Sequence, residues 1–232
     1  MGIEVHKMQQ KMGRKNVIKT NIMNKFIDAA FSIIESEGVE NVTIRGVASI
    51  AGYNSSTLYN YFEDLDHLIL FASIRYLRDY SQGLKEYVKK ATNSLEMYLM
   101  IWECFCQYSF DRPEIYKLIF FSEHSTTLNN IISEYYNIFP EELGESPLQV
   151  KSMLTGNDIY SRTMYQFGDC VKEGYFKESD IAEINEVTIL IYQSILMNLL
   201  RKKPAYNKQE AQEKTMHYFK KIVEAYRLQD NK

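Results

Sequence analysis

The sequence predicts an all-α protein in two parts, and three observations lead there. From Asn24 to the end, apolar residues recur at helical spacing, and Gly, Pro, Asn, Ser or Asp stands where the spacing breaks. Between Val42 and Phe62 the helices become short and pivot on Gly52. After residue 179 the apolar faces are broader than one small core requires. The chain has 232 residues, 45% of them hydrophobic, enough for one large domain or two small ones. We expect a basic, flexible arm over 1–21, a three-helix domain over 22–66 and a larger helical domain over 67–232, the last two joined by a long helix.

The arm carries the charge asymmetry. The chain as a whole has a formal net charge of −3, yet Met1 to Lys25 holds six basic residues against Glu4, a local net of +5 that leaves −8 for the remainder. Such a segment fits phosphate contact, and it fits equally a solvated leader. A first helix, about Asn24 to Ser36, turns Ile27, Ala30, Phe31 and Ile34 to one side and stops at Gly38. Thr43 can cap a second helix by accepting a backbone N–H, ahead of Ile44, Val47, Ala48 and Ala51 on one face. Gly52 permits the left-handed backbone of a sharp turn. Asn54 or Ser55 then caps a short helix through Asn60 that buries little beyond Leu58. This is either an ordinary helical hairpin or a helix-turn-helix whose second helix suits a DNA major groove.

A longer helix starts at Asp64 or Asp66 and runs to about Lys90. Asn93 or Ser94 caps the next, with Leu95, Tyr98, Leu99, Trp102, Phe105 and Cys106; it ends near Asp111, and Pro113 suits the first turn of an aromatic-rich successor. Thr126 to Phe139 makes another helix, and Pro140 to Gly156 is the least regular stretch, a candidate mobile loop or lid. Asp158 to Glu173 is helical and closes at Gly174. Ser179 caps a helix with Ile184, Val187, Ile191, Ile195 and Leu199 on one face, and Asn207 opens the last, with Met216, Phe219, Ile222, Val223 and Tyr226 inward.

Catalytic and metal signatures are lacking. Cys104, Cys106 and Cys170 have no nucleophile pattern and read as buried thiols; His6, His67, His124 and His217 make no metal-ligand spacing. No cofactor or metal is expected. An all-helical enzyme using a cysteine and a histidine is the remote alternative. The start has no signal-peptide core, and no run of about eighteen apolar residues could span a membrane, so a cytoplasmic protein is expected.

The residue identities of Val42 to Phe62 resemble the DNA-binding domain of the TetR family of bacterial transcription regulators: Thr43, Ala48, Ala51, Gly52, Thr57, Leu58, Tyr59, Tyr61 and Phe62 match its motif, and Asp28, Ala29, Ala30, Ile34 and Gly38 match its spacing. The resemblance covers roughly Met23 to Leu70. It implies a dimeric, ligand-responsive regulator, a repressor, that binds a palindromic DNA operator and is released by a small-molecule inducer. A ligand-independent DNA-binding or adaptor protein of the same fold is the alternative.

The resemblance also assigns positions. Thr43, Thr57 and Tyr61 suit phosphate, Tyr59 phosphate and base edges, and Lys25 completes the basic set. Asn54, Ser55, Ser56 and Asn60 are the positions where sequence preference is written, and Asn60 has the groups to pair with adenine. Arg45 suits either guanine or phosphate. Two departures stand out. Leu65, within Glu63-Asp64-Leu65-Asp66, replaces a lysine that the family often uses on phosphate, and Gly46 inside a helix costs about 1 kcal/mol against alanine, which calls for a reason such as close backbone approach.

In the larger domain, Trp102, Phe105, Tyr108, Tyr116, Phe120, Tyr160, Tyr165 and Phe167 could line a cavity for an apolar or aromatic inducer, with Glu103, Glu123 or Asp169 available to a cation. The last two helices, through Ile184, Val187, Ile191, Ile195, Leu199, Phe219, Ile222 and Tyr226, correspond to the family's four-helix homodimer interface.

Overall fold

A computed structural model describes residues 2–122, 131–143, 148–156 and 158–228, with side chains left aside at 2–16 and 148–150. Every regular element among these residues is helical. The chain divides into two compact units, Met1–Ser73 and Ile74–Lys232.

In the first unit, helix α1 spans Gly2–Glu37. It takes in the basic stretch as well as the segment from Asn24, because no proline interrupts the chain before Pro113 and extending an existing helix costs little. It buries Met23, Phe26, Ile27, Ala30, Ile33 and Ile34, while Phe31 is half-buried. After a 3-10 turn at Val39–Asn41 comes α2, Ile44–Ala51, whose cap is the expected one: Thr43 Oγ1 accepts the Gly46 N–H at 3.1 Å. At its other end Gly52 is left-handed, with φ 76° and ψ 33°. Helix α3 is a single turn, Ser55–Leu58, and α4 spans Leu65–Ile74. Asp64, not Asp66, opens α4 by accepting the His67 N–H at 2.8 Å, and His67 Nδ1 accepts the Glu63 N–H in return. An aromatic hub closes the unit. Phe62 meets Phe26 and Phe71 edge-on, with ring centroids 6.3 and 5.7 Å apart, and all three are buried.

The expected long helix is broken. Helix α4 stops at Ile74 and α5, Leu77–Val88, resumes after Arg75 and Tyr76. Ser73 Oγ donates to the Ile69 carbonyl at 2.8 Å, a back-bond that competes with the helical ladder, and the Arg78 N–H reaches Arg75 in a tighter turn.

The second unit is built on α6, Ser94–Asp111, capped by Asn93, whose side chain accepts the Glu96 N–H. It packs against α5, against α11, Ile159–Lys172, and against α12 and α13, Ile181–Leu199 and Lys208–Tyr226. Between them lie α7, Pro113–Phe121, α8, Ile131–Ile138, α9, Pro140–Leu143, and α10, Leu148–Leu154. The supposedly irregular segment from Pro140 to Gly156 is therefore largely helical in its described part, and residues 126–130 of the expected Thr126-to-Phe139 helix lie outside the described residues. Ser179 does not cap α12: it sits in a 3-10 turn and bonds Asp180. Asn207 does open α13, in a reciprocal capping box with Glu210. Trp102 is the hub of the core, its ring 4.9 Å from Phe219, 5.4 Å from Tyr192 and 5.8 Å from Phe105.

Burial raises the phenol pKa of Tyr80, Tyr98, Tyr116 and Tyr192, and pushes Tyr136 up to about 12. The unfolded chain ionises these phenols near the ordinary value of about 10, so their protonated form favours folding fully below that pH, and the advantage drains as pH climbs toward the folded values. Melting temperature is accordingly expected to hold level between about pH 8 and 9.5 and to fall steeply above about 10; a level profile through pH 11 would contradict the buried tyrosine core. Gly52→Ala places a side chain in left-handed backbone and is expected to cost about 1–2 kcal/mol in chemical denaturation of the first unit, although a Cβ there has nothing within 4 Å to strike.

Candidate functional site

The first unit presents one continuous polar edge around the α2–α3 turn. Thr43 and Arg45 are exposed at the start of α2. Asn54, Ser56 and Asn60 are exposed, Ser55, Thr57 and Tyr61 are half-buried, and Tyr59 is 54% exposed. Only Leu58 of α3 is buried. Beyond it the Asn60 and Tyr61 N–H groups bond three residues back, to Thr57 and Leu58, so Tyr59 to Tyr61 form a tight turn where a longer helix was expected. The Asn54 side chain makes no cap bond, which leaves its amide outward.

Two side chains tie this edge to α1. Tyr61 and Tyr53 pack on Phe26, at 6.3 and 5.4 Å between centroids, and the exposed Lys25 ammonium stands 5.4 Å from the Tyr53 ring. Lys25 is thereby held beside the turn. Gly46 has the reason it needed: a Cβ there would sit 3.0 Å from Thr43 Oγ1, the atom that caps α2, and 3.5 Å from Ile33 Cδ1. Glu63, Asp64 and Asp66 are exposed, and Leu65 is half-buried.

In the second unit a cavity of about 310 Å³ opens between the start of α6 and α11, within the size range of small-molecule sites. Met97, Tyr98, Ile101, Met153, Tyr165 and Gln166 line it, with Asp169 and Glu173 among its polar residues. The expected aromatic lining needs correction. Tyr165, 55% exposed, is the one of the eight aromatics expected to line a cavity that borders this one. Trp102 and Phe105 border a void of only about 20 Å³ with Tyr80 and Arg162. Tyr116 and Phe120 pack on Phe105 at 5.5 and 5.6 Å as core, Tyr108 is half-buried against Tyr80, and Tyr160 is 44% exposed on the outer side of α11. Phe167 is buried against Tyr98. The reason is periodicity. Positions that share a stripe on one helix divide between core and rim once several helices converge on it. Asp169 pairs with Lys172 at 2.9 Å, Glu103 is exposed, and Glu123 lies outside the described residues.

Arg162 went unremarked in the sequence. It is 3% exposed, with Nη1 donating to the Leu154 carbonyl at 2.5 Å and more distantly to Gly156, while Nη2 has no partner. Its guanidinium lies 5.4 Å from the Phe120 ring centroid. Burial lowers its pKa from the usual arginine value, opposed by the phenols of Tyr80, Tyr136 and Tyr116 and last by Asp158. No acidic group pairs with it among the described residues. A buried charge without a counter-ion carries a penalty of several kcal/mol. The readable signal was its register: Arg162 falls on the inward face of α11 with Ile159, Thr163, Gln166 and Cys170.

On α12 and α13, Ile184, Ile195 and Phe219 are consumed by the unit's own core, at 0%, 4% and 1% exposure, and so are not free for a partner. Val187, Ile191, Leu199, Ile222 and Tyr226 are half-buried, and Leu190, not singled out above, is 52% exposed. The three cysteines are buried; burial pushes the Cys104 thiol up to about 12 and raises Cys106 and Cys170 too, the opposite of what a thiolate nucleophile requires. No helix among the described residues is long and apolar enough to cross a membrane.

Comparison with known proteins bears on both units. Residues 26–70 match the family model of the bacterial regulatory proteins, tetR family. No curated protein matches the chain significantly. Among solved structures the fold is similar to that of Thermus thermophilus FadR, a TetR-family transcriptional repressor in complex with lauroyl-CoA, at 10% identity and a TM-score of 0.56 over 85% of this chain and 92% of that one. It is similar also to a TetR transcription regulator from Haloarcula marismortui, at 10% identity and 0.56, over 90% and 99% respectively. Identities so low establish the fold alone, but the domain match falls on the segment that carries the α2–α3 turn. Residues 26–70 thus match the DNA-binding domain of the bacterial regulatory proteins, tetR family, and the α2–α3 turn lies inside that match.

Proposed function

We propose that the protein is a homodimeric, ligand-responsive repressor that grips a palindromic operator with the exposed edge of α2 and α3 and lets go when an effector enters the second unit. The observation that carries this reading is the polar edge itself: Tyr59, Asn54, Ser56 and Asn60 are all exposed around a turn whose only buried α3 residue is Leu58. Exposed polar side chains gathered at one turn suit base edges, and Asn60 has the donor and acceptor that pair with adenine. Arg45, Thr43 and Lys25 flank them as phosphate or guanine contacts, with Ser55, Thr57 and Tyr61 at the backbone-facing border. The basic segment before Phe26 adds salt-dependent affinity, against local repulsion from Glu63, Asp64 and Asp66.

Dimerisation is assigned to α12 and α13. The stripe Val187, Leu190, Ile191 and Met197 recurs at helical spacing and is not fully covered by the unit's own core. It supplies the apolar surface that two-fold pairing buries. Effector control then follows from unequal binding to two conformations of the dimer; lauroyl-CoA in the similar Thermus thermophilus structure supports the view that such a fold accommodates a small molecule.

Two measurements test this. Titration of the purified protein onto the DNA upstream of its own gene, against scrambled DNA at two salt concentrations, should show a preference of about a thousandfold or more; Tyr59→Ala and Asn60→Ala should erode it with little change in folding stability, within about 0.5 kcal/mol. Equal affinity for both fragments, falling steeply with salt, would favour a non-specific DNA-binding or adaptor protein. For the dimer, Leu190→Glu should shift sedimentation from dimer to monomer and weaken operator binding in parallel, and an unchanged dimer would move the interface elsewhere.

A further inference from the structure

The small void beside Arg162 and the larger cavity have linings in common: Ile101, Met153 and Gln166 border both. Two of these three are long, unbranched side chains in mutual contact, Gln166 Nε2 lying 3.3 Å from the Met153 sulfur, which the Tyr80 hydroxyl also reaches at 3.9 Å. The Gln166 carbonyl oxygen has no partner. Moving Met153 and Gln166 aside would join the void to the cavity without disturbing a helix, since thioether and amide chains repack easily.

Two residues that line the void hold buried polar atoms without partners, the Gln166 carbonyl oxygen as acceptor and the Arg162 guanidinium as donor. Arg162 Nη2 has no partner, nor do the hydroxyls of Tyr116 and Tyr136, two of the phenols electrostatically coupled to that guanidinium. Asp158, the one carboxylate felt by Arg162, is exposed and engaged by Ser161 as the cap of α11. A structural arginine ordinarily spends its donors on carbonyls or a carboxylate; this one spends Nη1 on Leu154 and Gly156 and leaves Nη2 buried without a partner. What is missing from the site is one negative charge with acceptor oxygens.

We infer that the second unit binds an amphipathic monoanion, a carboxylate on an apolar or aromatic body, with the carboxylate on Arg162 and the body in the cavity bounded by Met97, Ile101 and Tyr165. The match is chemical. A carboxylate offers two coplanar oxygens to the planar guanidinium fork, and tyrosine hydroxyls can supply the remaining hydrogen bonds. A dianion would leave one charge unbalanced in a buried site that holds a single arginine, and a cation would meet like charge. Met97, Tyr98 and Ile101 give the body an apolar wall. The inference rests on the effector-responsive reading above for its regulatory meaning, and it replaces the neutral or cationic ligand suggested by the aromatic content with an anionic one.

Trp102, the single tryptophan of the chain, borders the void and serves as the reporter. The experiment is fluorescence titration of the full chain with decanoate and phenylbutanoate, each beside its primary amide. At least one carboxylate is expected to bind about tenfold or more tightly than its amide. Arg162→Met should abolish that difference while melting no lower than the wild type without ligand, because an uncompensated charge has been removed. Arg162→Lys, which keeps the charge and loses the fork, should retain a reduced preference, and it stands in should the methionine variant fail to fold. Equal binding of acid and amide, a preference that survives both substitutions, or no binding of either acid would overturn the inference. A parallel DNA titration separates it from the functional reading: Arg162-dependent carboxylate binding that leaves operator affinity unchanged would sustain the site and refute effector control, whereas intact operator recognition without carboxylate binding would do the reverse.

Discussion

The edge-on contact of Phe62 with Phe26 and Phe71 holds the business end of the first unit in place. Helix α3 has one turn and buries one side chain, and an isolated helix of that length has no stability of its own in water. Its orientation is imposed from outside. Gly52 fixes where the chain enters, and Phe62 anchors where it leaves, with Tyr61 and Tyr53 leaning on the same Phe26 ring. The exposed residues between these fixed points point where the two anchors leave them pointing.

The second unit has the opposite economy. Its core is large and aromatic, centred on Trp102, and it can tolerate a defect. Arg162 is that defect: a desolvated guanidinium over Phe120 with half its fork idle. A small domain could not absorb such a loss, since net stability of a whole domain is only about 5–15 kcal/mol. Buried polar atoms without partners in an otherwise well-capped protein mark the place where packing has yielded to something else.

Much of this was legible beforehand, for physical reasons that can be named. Thr43, Gly52 and Asn207 were readable because each satisfies a local backbone need, and local needs are written in adjacent residues. The α2–α3 turn was readable because its residue types and spacing carry both geometry and chemistry. What escaped depended on neighbours distant in sequence. The break at Arg75 and Tyr76 carries no proline or glycine to announce it and shows only in hydrogen bonding, Ser73 to Ile69 and the Arg78 N–H to Arg75. Which side of α12 faces inward was decided by α6 and α13, so Ile184 and Ile195 went to the core and Leu190 stayed outside. Arg162 is hard to see in the sequence because a charged residue in a helix ordinarily faces water, although its register with Thr163 and Gln166 turns it inward.

The division of labour along Asn54 to Phe62 has an evolutionary consequence. Leu58 and Phe62 are buried and keep the turn standing, while the side chains of Asn54, Ser56, Tyr59 and Asn60 are exposed. Substitutions at exposed positions of this kind usually change stability by no more than about 0.5 kcal/mol, so they act mainly on what the turn meets. A duplicated copy could therefore drift toward a different target one residue at a time, never passing through an unfolded ancestor.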